Sequence, residues 1–132
     1  MNTKIIMTLS AVIMGAFGVL LTFAAEEVAK VLIAEPNKQV QLLIQVVGAL
    51  YFAFAMLNWM VKDNLIGGIY NRPIAVANCT HFTIAGLALV KGAAAIPGMP
   101  YQWLCVAALY AVFALVFAII LFRHPTEEQK SV

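Results

Sequence analysis

Residues 58–81 read NWMVKDNLIGGIYNRPIAVANCTH. This stretch ends one apolar run at Val61, turns through a charged loop, and enters a second apolar run that carries His81 inside it. Nearly all of the unusual polar residues of the chain lie in or beside it. The stretch therefore decides both the topology of the chain and the position of its candidate site.

The composition of the chain indicates a membrane protein. Its 132 residues are 64% hydrophobic and 11% charged, whereas a soluble domain carries about 25% charged residues. A helix needs about 20 residues, at ~1.5 Å rise each, to cross ~30 Å of hydrocarbon. Three apolar runs meet that length without a charged residue, at about 5–25, 40–61 and 102–122. A fourth, 74–96, meets it because Lys91 can snorkel to the interface. We therefore predict an all-α integral membrane four-helix bundle with up-down-up-down topology, as a single domain over 1–132.

The first apolar run is predicted to be a membrane helix and not a secretory signal, because it is about 20 residues long and a signal core has about 7–15. Its small residues recur at spacings of four, three, four and three: Ala11, Gly15, Gly18, Thr22 and Ala25. Small residues let a neighbouring helix approach closely in lipid. The charged segment that follows predicts a short interfacial helix at 26–34, ended by Pro36.

Two later helices carry stripes that predict which side faces inward. The second predicted helix has a stripe of polar and small residues, which should face the bundle because lipid cannot satisfy amides: Gln41, Gln45, Gly48, Tyr51, Ala55, Asn58 and Lys62. The fourth has an alanine stripe that could pack in a homo-oligomer, with Phe113 and Phe117 directed away: Ala107, Ala111, Ala114 and Ala118. Cys79 and Cys105 are predicted to be free thiols in the core.

The distribution of basic residues predicts the orientation. Five lie on the side of the termini and of the 62–73 loop: Lys4, Lys62, Arg72, Arg123 and Lys130. Three lie on the other side: Lys30, Lys38 and Lys91. The positive-inside rule then places both termini in the cytoplasm.

In this topology Asn58, Arg72, Asn78 and His81 gather at the cytoplasmic third of the bundle and form a candidate ligand-binding site. A titratable residue inside a membrane helix is costly and usually faces a partner or a cavity. Three interpretations of His81 stay open. It could bond to Asn58, Asn78 or a tyrosine as a purely structural contact; it could bind the polar end of a small amphipathic ligand, such as a lipid or quinone; or it could serve a metal, a haem iron or a proton relay.

The sequence contains no motif that indicates an enzyme. The chain has no HExxH, CxxC or CxxCH motif and no phosphate-binding loop. The second histidine, His124, follows the last span, and no carboxylate lies inside any predicted span. The net charge of +2 does not indicate nucleic-acid binding. No metal site or cofactor follows from these residues.

The loop GGIYNRP (Gly67–Pro73), which leads into a helix with the early histidine of ANCTH (Ala77–His81), resembles small bacterial four-helix membrane proteins of the DoxX-like type. The resemblance implies a multi-pass protein of the bacterial inner membrane with an accessory role near quinone or thiol redox enzymes. It carries over no catalytic residue. The functional hypotheses are an accessory subunit or homo-oligomer, a binder of a lipid or quinone at His81, and a membrane redox protein.

Overall fold

The protein is described here by a computed structural model, which covers residues 2–33, 35–64, 66, 70–98 and 101–122. All regular structure in these ranges is helical: α1 (Thr3–Phe23), α2 (Ala25–Leu32), α3 (Lys38–Val61), α4 (Arg72–Ala95) and α5 (Gln102–Phe122). Four of the helices, α1, α3, α4 and α5, are long and apolar enough to cross a membrane. The prediction of an all-helical membrane protein with four spans is confirmed, and the predicted spans agree with the helices to within a few residues.

The chain divides into two compact units, Met1–Asn64 with α1, α2 and α3, and Leu65–Val132 with α4 and α5. The predicted Gly67-Gly68 turn and the residues from Arg123 onward lie outside the described ranges. Ala34, the last residue of the predicted interfacial helix, lies outside them as well.

Local sequence signals explain where the long helices begin. The side chain of Asn2 accepts a hydrogen bond from the backbone N–H of Lys4 at 3.1 Å, and that of Asn37 accepts one from Val40 at 2.9 Å. Asparagine caps a helix in this way because the first turn has no intrahelical partners for its N–H groups. Pro73 lies in the first turn of α4, where its missing N–H costs nothing.

The helices α1 and α3 of the first unit run antiparallel in a regular register. As α1 is followed from its start to its end, its contacts move from the end of α3 toward the start of α3. The contacting pairs are Lys4 with Asp63, Ser10 with Asn58, Gly15 with Ala55, Gly18 with Phe52 and Thr22 with Gly48. The small residues of α1 therefore face α3, as their spacing predicts.

Gly18 and Gly48 bring the two backbones into direct contact. A methyl group added to Gly18 would lie 2.8 Å from the backbone nitrogen of Phe52. One added to Gly48 would lie 2.5 Å from Thr22 Oγ1, 2.7 Å from Thr22 N and 3.0 Å from the carbonyl oxygen of Gly18. No side chain fits at either position unless the helices move apart.

A short helix is present where the interfacial helix was predicted at 26–34: α2 begins after a single break at Ala24 and ends at Leu32. Its buried residues Ala25 and Ala29 cluster with Ile44 of α3. Leu21, Val28 and Val40 pack around this cluster. Leu21 of α1 packs on the same cluster as Ala25 and Ala29, so the side of α1 that packs on α3 continues into α2. The ion pair between Glu26 and Lys30, at 2.6 Å, lies on an exposed side of α2.

The second unit is built around the ring of Phe82, which is 1% exposed. This ring stacks on Phe113 and Phe117 of α5, with centroids 4.8 and 5.7 Å away, and meets Tyr110 edge-on at 5.3 Å. Beside it, a methyl group added to Gly86 would lie 3.3 Å from Cβ of Tyr110. Aromatic stacking therefore holds α4 against α5.

Several predicted side-chain directions were wrong. Phe113 and Phe117 do not point away from the packed side of α5 but are 7% and 0% exposed. On α3, Gln45 is exposed and Ile44 is buried in its place. Both thiols are free, but Cys105 is exposed and does not belong to the core.

Alanine substitutions at the glycines of α1 and α3 test the close approach. We expect Gly18→Ala and Gly48→Ala each to lower the free energy of unfolding by about 1–3 kcal/mol, because the added methyl meets backbone atoms. Gly15→Ala is the matched control. Its methyl would meet Cβ of Ala55 at an ordinary 3.6 Å, and alanine is the better helix former. Unfolding in detergent micelles checks all three, and equal losses at Gly15 and Gly18 would contradict the packing.

The Lys4–Asp63 ion pair, at 2.6 Å between exposed side chains, predicts a pH dependence. The hydrogen bond from the Lys4 ammonium lowers the pKa of the Asp63 carboxyl from its ordinary 3.8. Because this pKa is lowered, the ion pair stabilises the folded state fully at pH values well above 3.8. The stabilisation is lost as the pH falls through the pKa that Asp63 has in the folded state. We expect Lys4→Gln to raise the Asp63 titration midpoint followed by NMR. An unchanged midpoint in Lys4→Gln, as expected for Lys91→Gln, would contradict the pairing.

Candidate functional site

Asn58 lies in a buried polar cluster between α1 and α3. Its side-chain nitrogen donates to Ser10 Oγ at 3.1 Å and approaches Met14 Sδ at 3.8 Å. The Ser10 hydroxyl in turn donates to the backbone carbonyl of Met7 at 3.0 Å. Asn58 and Ser10 are both 0% exposed. This cluster supplies a hydrogen bond between α1 and α3. Polar side chains commonly hold membrane helices together in this way.

Asn78 and Arg72 of α4 occupy different environments. Asn78 is 0% exposed, and its side-chain nitrogen donates to the carbonyl oxygen of Ile74, one turn earlier, at 3.0 Å. Arg72 is the first residue of α4 and is exposed. Six residues of helix separate the two by about 9 Å along the axis and turn them about 120° apart. Arg72 therefore does not share the face of Asn78.

His81 is half-buried on α4, near the contact with α5. Its ring centroid lies 5.8 Å from that of Tyr110 and 5.3 Å from that of Phe82. Tyr110 is 3% exposed and also belongs to the Phe82 cluster. The histidine therefore sits at the edge of the aromatic core of the second unit, three residues after Asn78 and on a neighbouring side of the same helix.

Of the four residues proposed as a site, the second unit holds Arg72, Asn78 and His81, and the first unit holds Asn58. Asn78 and His81 lie close together on α4, and Arg72 does not join them. Within the described ranges no group of three or more histidine, cysteine, aspartate or glutamate residues could hold a metal ion.

Three residues that contact Asn58 or His81 were not among the predicted site residues: Ser10, Met14 and Tyr110. Ser10 could have been found, because antiparallel neighbours with Gly15 opposite Ala55 bring Ser10 to the level of Asn58. Tyr110 is a polar-tipped residue in the middle of the most apolar helix, which is itself a signal. Met14 carries no such signal.

Charged residues follow Asn58 at the end of α3. The Lys62 ammonium stands 3.5 Å from the centroid of the Trp59 ring, a cation–π contact. Asp63, which the sequence could not assign to Arg72 or Lys62, pairs with Lys4. Tryptophan and lysine at a helix end are typical of the boundary between lipid and water.

Comparison with known proteins adds no family to this description. No protein-family model, no curated protein and no solved structure matches the chain. Functional inference therefore depends on the residues themselves.

A double-mutant cycle tests whether the bond between Asn58 and Ser10 stabilises the packing of α1 on α3. We expect Ser10→Ala, Asn58→Leu and the double variant to reveal a coupling of about 0.6–1.7 kcal/mol in the free energy of unfolding, the range found for such bonds in membranes. The cycle isolates this pair from the other contacts of each residue. A second cycle with Thr8→Ala and Asn58→Leu is the control, because Thr8 bonds to its own helix at the Lys4 carbonyl. Coupling near zero in the Ser10 cycle would contradict the assignment.

Proposed function

We propose that the protein is a small non-enzymatic, multi-pass membrane protein that acts as an accessory subunit of a membrane complex or as a homo-oligomer. The proposal rests on the hydrogen bonds made by the polar side chains inside the long helices. Asn58 donates to Ser10 across α1 and α3, and Asn78 donates to its own helix. The Asn58 bond joins two helices and the Asn78 bond lies within α4, and both are structural uses of a polar side chain.

A protein that works through helix contacts meets its partners with the outer faces of its spans. These faces are apolar on every long helix, with exposed side chains such as Leu43, Ile84 and Leu115. Lipid or another membrane protein must cover them, because each lies within a helix suited to cross the bilayer. The resemblance to DoxX-like proteins supports a partner among quinone or thiol redox enzymes.

We further propose a bacterial inner membrane location with both termini in the cytoplasm. The five-to-three excess of basic residues supports this orientation. The Trp59–Lys62 contact and the Lys4–Asp63 ion pair support a membrane boundary at this end of α1 and α3.

A second candidate function is the binding of a lipid or quinone beside His81. The position of a half-buried histidine at the edge of an aromatic cluster favours it, because an imidazole can bond the polar end of a ligand whose apolar part packs on rings. In this alternative Asn78 and His81 of the second unit contact the ligand.

Native mass spectrometry of the protein, gently extracted from its own membrane, tests the two functions together. The proposed function predicts a larger assembly, either with a second subunit or with further copies, and no bound quinone. The alternative predicts a retained quinone or lipid that is lost in a folded His81→Gln variant, while Lys91→Gln retains it. A monomer without any retained molecule would contradict both.

A further inference from the structure

An apolar groove lies beside the contact between α1 and α3. It has a volume of about 310 Å³ and is lined by Gly18, Val19, Thr22, Phe23, Ala49 and Phe52. Phe23 and Phe52, 84% and 47% exposed, form its walls, and the small residues leave the space between them. The groove exists because the backbones of α1 and α3 approach too closely for larger side chains to fill this position.

The lining of the groove favours a hydrocarbon occupant. Every part of the lining except the Thr22 hydroxyl is apolar or backbone. Such a surface suits a flexible acyl chain, which has no polar groups to satisfy.

A ladder of polar residues leads from the groove to the end of α3. Going from Ala49 toward the helix start, Gln45, Gln41 and Lys38 follow at spacings of four, four and three, so they lie on one side of the helix. Gln45 and Lys38 are exposed, and Gln41 is half-buried. Among the described residues neither amide takes part in a hydrogen bond.

The distances along this ladder match one leaflet of a bilayer. Lys38 lies about 10 Å from Gln45 and about 16 Å from Ala49 along the helix axis. Half of a ~30 Å hydrocarbon core is ~15 Å thick. The charged end, the amides and the groove therefore follow the order of phosphate, ester groups and acyl chain in a membrane phospholipid.

We propose that this face of α3 is a binding site for one phospholipid. An acyl chain occupies the groove between Phe23 and Phe52, the amides of Gln45 and Gln41 donate to the ester carbonyls, and Lys38 binds the phosphate. The site lies toward the end of the first unit opposite to Asn58 and shares no residue with the candidate site around His81. It does not depend on the proposed function.

The neighbouring charges favour a headgroup that carries an ammonium group. Lys30 is already paired with Glu26, whereas Glu27 and Glu35 are exposed carboxylates near the same end. Lys38 supplies the positive charge for a phosphate, and Glu35, three residues away, can attract a positive group next to it. Phosphatidylethanolamine, with a phosphate and a free ammonium, fits this combination.

The test is a titration of the purified full chain in detergent, followed by native mass spectrometry. The probes are palmitoyl-oleoyl phosphatidylethanolamine and the diacylglycerol with the same two chains, which lacks the phosphate. Lys38→Gln removes the phosphate contact, and Ala49→Leu fills the groove. Lys91→Gln and Ala53→Leu, an exposed alanine one turn further along α3 and outside the lining, are the matched controls.

The proposal predicts that the wild type binds the phospholipid more tightly than the diacylglycerol. Lys38→Gln should weaken phospholipid binding by about five-fold and leave diacylglycerol binding unchanged. Ala49→Leu should lose both lipids, and the two controls should behave as the wild type. Because Lys38 is exposed, its variant folds even if Ala49→Leu does not.

Three results would overturn the proposal. Equal affinity of Lys38→Gln and wild type for the phospholipid would exclude a phosphate contact. Equal affinity of a folded Ala49→Leu would exclude the groove. A dimer that forms without lipid and is lost in Ala49→Leu would assign the groove to a side chain of a second copy.

Discussion

The structure of the first unit depends on the contact between Gly18 and Gly48. Lipid tails are as apolar as leucine side chains, so burial of apolar surface does not drive two membrane helices together. Close packing must do so, and it is closest where neither helix carries a side chain. At this crossing an added Cβ on Gly48 would lie 3.0 Å from the Gly18 carbonyl oxygen and 2.7 Å from the backbone nitrogen of Thr22, so only glycine allows the two backbones to approach this closely.

Other features of the unit follow from this contact. The register it sets brings Asn58 to Ser10 and Lys4 to Asp63 on one side of the crossing, and Ala25 and Ala29 to Ile44 on the other. It also creates the groove beside Ala49. The second unit uses a different solution, in which the stacked rings of Phe82, Phe113 and Phe117 fill the space between α4 and α5. Polar groups reinforce both arrangements, and this use of them underlies the proposed function.

The sequence was sufficient to predict the helices and the packing side of α1, because a stripe of small residues that includes Gly15 and Gly18 marks the side on which another backbone can approach closely. It was not sufficient for α5, because a phenylalanine is equally stable against lipid and against another helix. Phe113 and Phe117 were therefore placed on the wrong side. Gln45 was predicted to be buried because its amide needs partners, but a position near the end of a span lets it reach polar groups at the membrane surface. His81 was found from its cost in a membrane, yet its contact with Tyr110 could not be inferred, because the two residues lie far apart in sequence.

The register of α1 against α3 in a native membrane is the most direct test of this account. The Cβ position of Gly15 lies 3.6 Å from Cβ of Ala55, within the ~3.5–4.5 Å that a disulfide requires. In a chain with Cys79→Ser and Cys105→Ser, the pair Gly15→Cys and Ala55→Cys should therefore form an intramolecular disulfide on mild oxidation. The pair Gly15→Cys and Ala53→Cys, directed to another side of α3, should remain reduced. Absence of the first disulfide, or equal formation of both, would contradict the close antiparallel packing on which the account depends.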